Sequence, residues 1–122
     1  LIIEAEKLPI DYKRKNYVIV GSRSHMSKET EVFFEVMKKK YGNVEVMAVG
    51  SSLKLCMVAE GKADAYPRYA PTMEWDTGAG HAIAKYAGFS VKQYNSSEDV
   101  VYNKENLLNP WFLVNEFHEK KI

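Results

Sequence analysis

The chain has 122 residues, of which 46% are hydrophobic, and its 17 basic residues nearly balance its 16 acidic ones, which suits one ordinary domain with its own core. This balance argues against a protein that coats a nucleic-acid polymer, and no apolar run approaches the roughly 20 residues of a transmembrane segment. The single cysteine, Cys56, excludes an internal disulfide and a cysteine metal cage, so we expect a cytoplasmic location.

The beginning of the chain has the composition of a linker. A short apolar start is followed by Pro9 and a charged, turn-rich segment. The chain opens without Met or a signal-peptide pattern. We therefore expect residues 1–16 to be a linker, or the edge of a missing N-terminal domain, and residues 17–122 to be a C-terminal α/β domain.

The first strand and helix have clear local signals. Residues 17–20 are rich in β-formers and predict a strand. After a loop that holds His25, Ser27 is a suitable N-cap, and apolar residues recur at helical spacing as far as Tyr41. Gly42 then suits the end of this helix.

The rest of the chain predicts alternating strands and helices. They are expected as strand, helix, strand, helix, strand and strand at residues 44–49, 52–60, 63–66, 75–87, 89–94 and 111–114. This order predicts an α/β fold with a mostly parallel sheet flanked by helices. Within the helix over 75–87, we expect Trp75 to form a wall of the core and His81 to be a packing residue.

Polar groups stand where the helix over 52–60 begins. Gly50, Ser51, Ser52 and Lys54 follow an apolar strand. Free backbone N–H groups, two hydroxyls and an ammonium group can converge there on a phosphate. The alternative is a plain turn and helix cap, which Gly-Ser-Ser more often represents.

A carboxylate stands at the head of the next helix. Asp76 is a hard oxygen ligand that suits Mg²⁺, and Gly78 and Gly80 leave room for a ligand or another backbone to approach. The alternative is an aspartate that only helps to cap the helix.

Several sequence blocks carry a family resemblance: residues 22–25, 50–61, 66–72, 75–82 and 109–110. Over about residues 17–114, the chain resembles the C-terminal half of bacterial 3′(2′),5′-bisphosphate nucleotidases. These belong to the inositol monophosphatase superfamily of lithium-sensitive, Mg²⁺-dependent phosphatases with a layered α/β fold. One departure is Gly78, where the superfamily signature usually has Ala or Cys.

The resemblance implies a reaction and a set of site residues. The reaction is hydrolysis of the 3′-phosphate of adenosine 3′,5′-bisphosphate to AMP, a step linked to sulfate assimilation. Asp76 matches a metal ligand that also lies close to the substrate. The other substrate-binding positions are His25, Gly50, Ser51, Ser52, Lys54 and Arg68. Without the resemblance, His25 would be an incidental loop residue and Arg68 a surface salt-bridge partner.

The family's other metal ligands and its water-activating groups belong to an N-terminal domain. Its Asp-Pro-x-Asp-Gly-Thr motif does not occur in these 122 residues. The expected partners are therefore that domain, Mg²⁺ and a small nucleotide bisphosphate, with no catalytic residue in this chain, which alone should be inactive. Two alternatives stay open: an inositol-phosphate or sugar-bisphosphate phosphatase of the same superfamily, and a non-catalytic nucleotide-binding module.

Overall fold

The computed structural model describes residues 7–21, 27–49 and 53–116. Strands and helices alternate over most of this length. In chain order they are β1 (Tyr17–Gly21), α1 (Lys28–Tyr41), β2 (Val44–Ala48), α2 (Leu53–Glu60), β3 (Tyr66–Arg68), α3 (Glu74–Tyr86), β4 (Phe89–Gln93) and β5 (Phe112–Glu116). No helix in these ranges has the length and apolar character needed to cross a bilayer.

The strands form a parallel pair and an antiparallel group of three. β1 and β2 pair in parallel, whereas β5 lies between β3 and β4 and is antiparallel to both. A parallel bridge between Ile19 and Ala65, with Val20 N–H donating to Ala65 O at 2.9 Å, connects β1 to the start of β3. The first four strands therefore run in one direction and β5 runs against them.

The α/β class is thus confirmed, but the sheet is only partly parallel. β5 follows β4 without an intervening helix. A parallel neighbour would require a crossover connection, usually a helix, so the returning strand pairs antiparallel instead. The expectation of a mostly parallel sheet is wrong for both pairings that β5 makes.

Local capping explains why α1 has its predicted bounds. Ser27 accepts a hydrogen bond from Thr30 N–H at 3.3 Å, and Gly42 ends the helix with φ at 80°. The third strand is less well predicted. Pro67 lies inside β3 opposite Leu113 instead of closing the strand, because pairing with β5 decides where β3 lies.

Helices α2 and α3 pack closely through a glycine. A Cβ atom placed on Gly80 would lie 2.8 Å from Leu55 Cδ1 and 2.9 Å from Leu55 Cβ, whereas one placed on Gly78 would meet nothing within 4 Å. The side chain of Leu55 is 1% exposed and belongs to the core. The predicted close approach therefore occurs at Gly80, where the neighbour is Leu55 of α2.

This packing predicts opposite effects for two glycine substitutions. Gly80→Ala should lower the free energy of unfolding by roughly 1 to 3 kcal/mol, the usual cost of overpacking a core. Gly78→Ala should raise it by up to about 1 kcal/mol, because alanine favours the helix and space is available. Urea denaturation of the chain measures both values. Equal effects at the two positions would contradict the described contact between α2 and α3.

The segment before β1 lies against the end of α2. Ile10 N–H donates to Glu60 O at 2.8 Å, and the Arg14 guanidinium pairs with both carboxylate oxygens of Asp64 at 2.7 and 2.8 Å. Arg14 Nε also donates to Gly61 O at 2.9 Å. This part of the predicted linker or edge is therefore attached to the α/β domain, and the missing N-terminal domain stays a prediction.

Candidate functional site

Three of the predicted site residues lie in the described ranges, on three different elements. Lys54 belongs to the first turn of α2, Arg68 ends β3, and Asp76 belongs to the first turn of α3. The other four, His25, Gly50, Ser51 and Ser52, lie outside the described residues, and their roles stay predictions.

The ammonium group of Lys54 is enclosed by its own domain. The residue is only 5% exposed, and Nζ lies 5.7 Å from the centre of the Tyr66 ring. Burial lowers the pKa of Lys54, and the positive charge of Arg68 lowers it further. Within the described part of the chain, Lys54 has no carboxylate partner. The aromatic face offsets only part of the cost of burying this charge.

Arg68 brings a second positive charge to the same place. Its Nη2 donates to Pro71 O at 3.1 Å, whereas its Nε is buried and has no hydrogen-bond partner in the described ranges. The surface salt bridge considered as an alternative is not formed with any described carboxylate. Two neighbouring cations that have no carboxylate partner among the described residues, one of them buried, make a site that favours an anion.

Tyr66 connects these groups, and sequence reasoning missed it. It lies two residues before Arg68 on β3, so both side chains project from the same face of the strand. Burial raises the pKa of the Tyr66 phenol, Arg68 opposes this rise, and the negative charge of Asp76 adds to it. Strand alternation offered one sequence signal, since residues two apart on a strand share a face. The contact of the Tyr66 ring with Lys54 Nζ required the structure.

Asp76 caps its helix and also presents a free oxygen. Its Oδ2 accepts from Met73 N–H at 2.9 Å, while its own N–H donates to Met73 O at 2.9 Å. The capping alternative is therefore realised. However, the residue is exposed, and Oδ1 makes no hydrogen bond to any described residue. One carboxylate can thus cap the helix with one oxygen and offer the other to a cation.

Asp76 would have to share a metal ion with groups from elsewhere. The described ranges contain no cluster of three or more His, Cys, Asp or Glu side chains that could hold an ion. Mg²⁺ is commonly bound by one or two protein carboxylates together with substrate phosphates and waters. The donor set here fits a contribution to such a site, not a complete one.

Two aromatic residues of α3 differ in their exposure to solvent. Trp75 is 69% exposed, so the expectation that it forms a wall of the core is wrong. His81 is 8% exposed, and its Nδ1 lies 2.7 Å from the Tyr102 hydroxyl, which confirms a packing role. Burial lowers the pKa of His81.

A partly buried ion pair attaches the first turn of α3 to the segment that follows β4. Glu74 accepts from Asn103 N–H at 2.6 Å, and Lys104 Nζ lies 2.5 Å from its Oε2. The hydrogen bond from Lys104 is the main cause that lowers the pKa of Glu74 below its ordinary value of 4.5. A lowered pKa in the folded state means that ionised Glu74 stabilises the fold.

This ion pair predicts a pH-dependent effect of Glu74→Gln. The stabilisation by the carboxylate is fully present above pH 4.5 and is lost as the pH falls through the lower, folded-state pKa. The variant should therefore melt below the wild-type chain at pH 7, and the difference should shrink under acidic conditions. Melting curves between pH 7 and pH 3 test this, and a difference that does not change with pH would exclude the assigned role.

Sequence comparison assigns the chain to a family. The model of the inositol monophosphatase family matches residues 3–120, and the chain belongs to this family. It is 41% identical over 97 residues to the 3′(2′),5′-bisphosphate nucleotidase CysQ of Escherichia coli. The match covers 80% of this chain and 38% of that protein. The enzyme of the same name from Salmonella typhimurium is 42% identical over the same shares.

Structural comparison agrees with this assignment. The crystal structure of CysQ from Bacteroides thetaiotaomicron superposes with a TM-score of 0.85 at 57% identity, covering 91% of this chain and 41% of that chain. Staphylococcal IMPase-II, at 16% identity and a TM-score of 0.68, shares the fold. The chain thus spans about two fifths of the length of these relatives.

Proposed function

We propose that this chain is the C-terminal half of a Mg²⁺-dependent 3′(2′),5′-bisphosphate nucleotidase. The complete protein would hydrolyse the 3′-phosphate of adenosine 3′,5′-bisphosphate, giving AMP and phosphate, as a step linked to sulfate assimilation. The partners of this half are the nucleotide and an N-terminal domain with the remaining metal ligands. The single cysteine suits a cytoplasmic location.

The observation that carries the proposal is the nearness of two cations to Tyr66: Lys54 lies over its ring, and Arg68 lies on the same face of β3. Two cations close together, without a described carboxylate partner, suit a ligand that carries more than one negative charge. A nucleotide with two phosphates is such a ligand. Curated relatives at 41% and 42% identity carry the name of a bisphosphate nucleotidase, which supports the same class of substrate.

In the proposed mechanism, this half binds and orients the substrate. Lys54 and Arg68 hold phosphate oxygens, and the Tyr66 ring keeps the Lys54 ammonium in place. Asp76 offers Oδ1 to a Mg²⁺ ion, for which its exposed carboxylate is a suitable oxygen donor. When bound, the metal would neutralise charge on the phosphate and favour ionisation of an attacking water.

The first test is phosphate release by the complete protein that carries this chain. Adenosine 3′,5′-bisphosphate and inositol 1-phosphate would be compared with Mg²⁺, with and without Li⁺. We expect metal-dependent, lithium-sensitive turnover of the nucleotide and little turnover of the inositol ester. Preference for the inositol ester would instead place the protein with the phosphatases that act on inositol or sugar phosphates.

The same assay should be run on the isolated chain, because the described residues hold too few metal ligands for a complete site. Without a cluster of three such groups, this chain by itself fits a nucleotide-binding module better than an enzyme. We expect the 122-residue chain to bind the bisphosphate without releasing phosphate. Metal-dependent release of phosphate by the isolated chain would contradict the proposal that the catalytic groups lie in the N-terminal domain.

A further inference from the structure

A buried asparagine close to β5 holds the start of α3. Asn109 is 3% exposed, and its backbone N–H donates to Thr72 O at 2.8 Å. Its side-chain Nδ2 lies 2.9 Å from Met73 O, 2.9 Å from Thr77 Oγ1 and 3.1 Å from Thr72 Oγ1. One amide group therefore connects the residue before α3 to the end of its first turn.

The partners define which way this amide points. Met73 O can only accept a hydrogen bond, so the NH2 group of the Asn109 side-chain amide must face it. This orientation leaves Asn109 Oδ1 buried and unpaired within the described residues. An unpaired buried acceptor destabilises a fold. The hydrogen bonds of the Nδ2 group must therefore contribute more stability than the unpaired Oδ1 removes.

Other contacts hold the same turn. Glu74 N–H donates to Leu107 O at 2.9 Å. The Tyr102 hydroxyl donates to Thr77 Oγ1 at 3.2 Å, so Thr77 accepts hydrogen bonds from Tyr102 and Asn109 together. The first turn of α3 is thus joined to the segment 102–109 by backbone and side-chain hydrogen bonds.

We infer that Asn109 is a positioning residue for Asp76. Asp76 lies in the chain between Met73 and Thr77, the two residues to which Asn109 Nδ2 donates. The Asp76 carboxylate in turn accepts from Met73 N–H. Holding both neighbours fixes the direction in which Oδ1 points. Groups that orient a ligand side chain in this way contribute strongly to metal affinity. The inference rests on the proposed function, because it requires Asp76 to bind a metal ion.

The test is Asn109→Ala in the complete protein, with Asn115→Ala as the matched control. Asn115 accepts from the Ser90 hydroxyl at 3.3 Å, and its side chain makes no hydrogen bond to the described residues at the start of α3. We expect Asn109→Ala to weaken Mn²⁺ binding by at least about 10-fold, the usual effect of removing a group that orients a metal ligand. A Mn²⁺ titration measures this affinity, at a temperature where circular dichroism shows that both variants are folded. In Asn109→Ala, kcat should also fall, while KM for the nucleotide changes little.

Thr77→Val keeps the test informative if Asn109→Ala does not fold. Valine preserves the shape of threonine but removes the hydroxyl that accepts from Asn109. It should weaken Mn²⁺ binding in the same direction, by a smaller factor. Folded variants that bind Mn²⁺ as tightly as Asn115→Ala would overturn the inference, even if their melting temperatures are lower.

Asp76→Asn, measured in parallel, separates this inference from the proposed function. If Asp76→Asn binds Mn²⁺ and turns over the nucleotide normally, Asp76 is not a metal ligand and the positioning role is overturned, while the nucleotidase function stands. If the unaltered complete protein turns over no nucleotide, the proposed function fails. If Asp76→Asn loses metal affinity while Asn109→Ala and Thr77→Val do not, only the positioning role is overturned.

Discussion

Asp76→Asn in the complete protein is expected to lose at least about 100-fold in kcat/KM, since removing a group that merely orients a metal ligand already costs roughly 10- to 100-fold. The variant is chosen because it separates the two tasks of this side chain. An asparagine oxygen can still accept from Met73 N–H, so the helix cap remains. What disappears is the charge offered to the metal ion.

Stability provides the control for this experiment. In the isolated chain, Asp76→Asn should change the free energy of unfolding by less than about 1 kcal/mol, because only the favourable charge at the helix start is lost. Asp99→Asn is the matched substitution, since Asp99 pairs with Lys92 and makes no described hydrogen bond to the first turn of α3. It should leave turnover nearly unchanged. Normal turnover by Asp76→Asn would remove the metal role and leave only the cap.

Elements with local signals were predicted well from the sequence. Ser27 and Gly42 bound α1 through capping and a positive φ, which depend on neighbouring residues alone. β3 and β5 were predicted less well because Tyr66 pairs with Val114, a partner far along the chain. Neither the length of β3 nor the direction of β5 can be deduced from a local pattern.

The candidate site depends on sequence and structure in a similar way. Lys54, Arg68 and Asp76 were named because each lies in a sequence motif, and their roles stay predictions. Tyr66 was missed because its contribution lies in the face it shares with Arg68 and in the contact of its ring with Lys54. Trp75 was placed wrongly in the core, since a large apolar residue near a helix start can also face solvent.

The contacts of Asn109 show why motifs do not reveal supporting residues. Asn109-Pro110 was visible as part of a family resemblance, but no sequence pattern shows that this amide reaches Met73 and Thr77. Such contacts arise only when the segment 102–109 folds back on α3. Supporting residues of this kind therefore require coordinates, whereas candidate ligands that lie in motifs can be proposed from the sequence.

Lys54→Met is expected to make the isolated chain more stable while it weakens binding of the bisphosphate. Methionine has a similar length and can fill the space beside Tyr66 without a charge. Replacing a buried ion pair by apolar groups of similar volume often stabilises a fold by about 1 to 4 kcal/mol, and we expect a change of the same sign for a buried ammonium that has no described carboxylate partner. The lost contact with the ring subtracts about 0.5 to 1 kcal/mol. Urea denaturation without ligand measures the gain.

Titration of Lys54 gives this prediction a second signature. Because burial lowers the pKa of Lys54, the unfolded chain holds this proton more tightly than the folded chain. The destabilisation is therefore fully present below the folded-state pKa and is relieved as the pH rises toward the ordinary value of 10.5. The stability gain of Lys54→Met should accordingly be largest near neutral pH and shrink in this alkaline window.

The matched control, Lys92→Met, should behave in the opposite way. Lys92 Nζ lies 2.5 Å from Asp99 Oδ1, so its removal leaves a carboxylate without its partner and should not stabilise the chain. Nucleotide affinity should stay unchanged in Lys92→Met. In Lys54→Met it should fall roughly 10- to 100-fold, since a charged hydrogen bond contributes about 1.5 to 3 kcal/mol.

The sign of the stability change decides what Lys54 does. If Lys54 stabilises the fold, Lys54→Met lowers the free energy of unfolding. The buried ammonium would then have to be stabilised by a partner that the described residues do not supply. If Lys54 serves a ligand, the unliganded chain becomes more stable and binding suffers, which is the usual trade-off at a binding site. Addition of the bisphosphate should then stabilise the wild-type chain far more than the variant, because a bound anion compensates the two adjacent cations, Lys54 and Arg68.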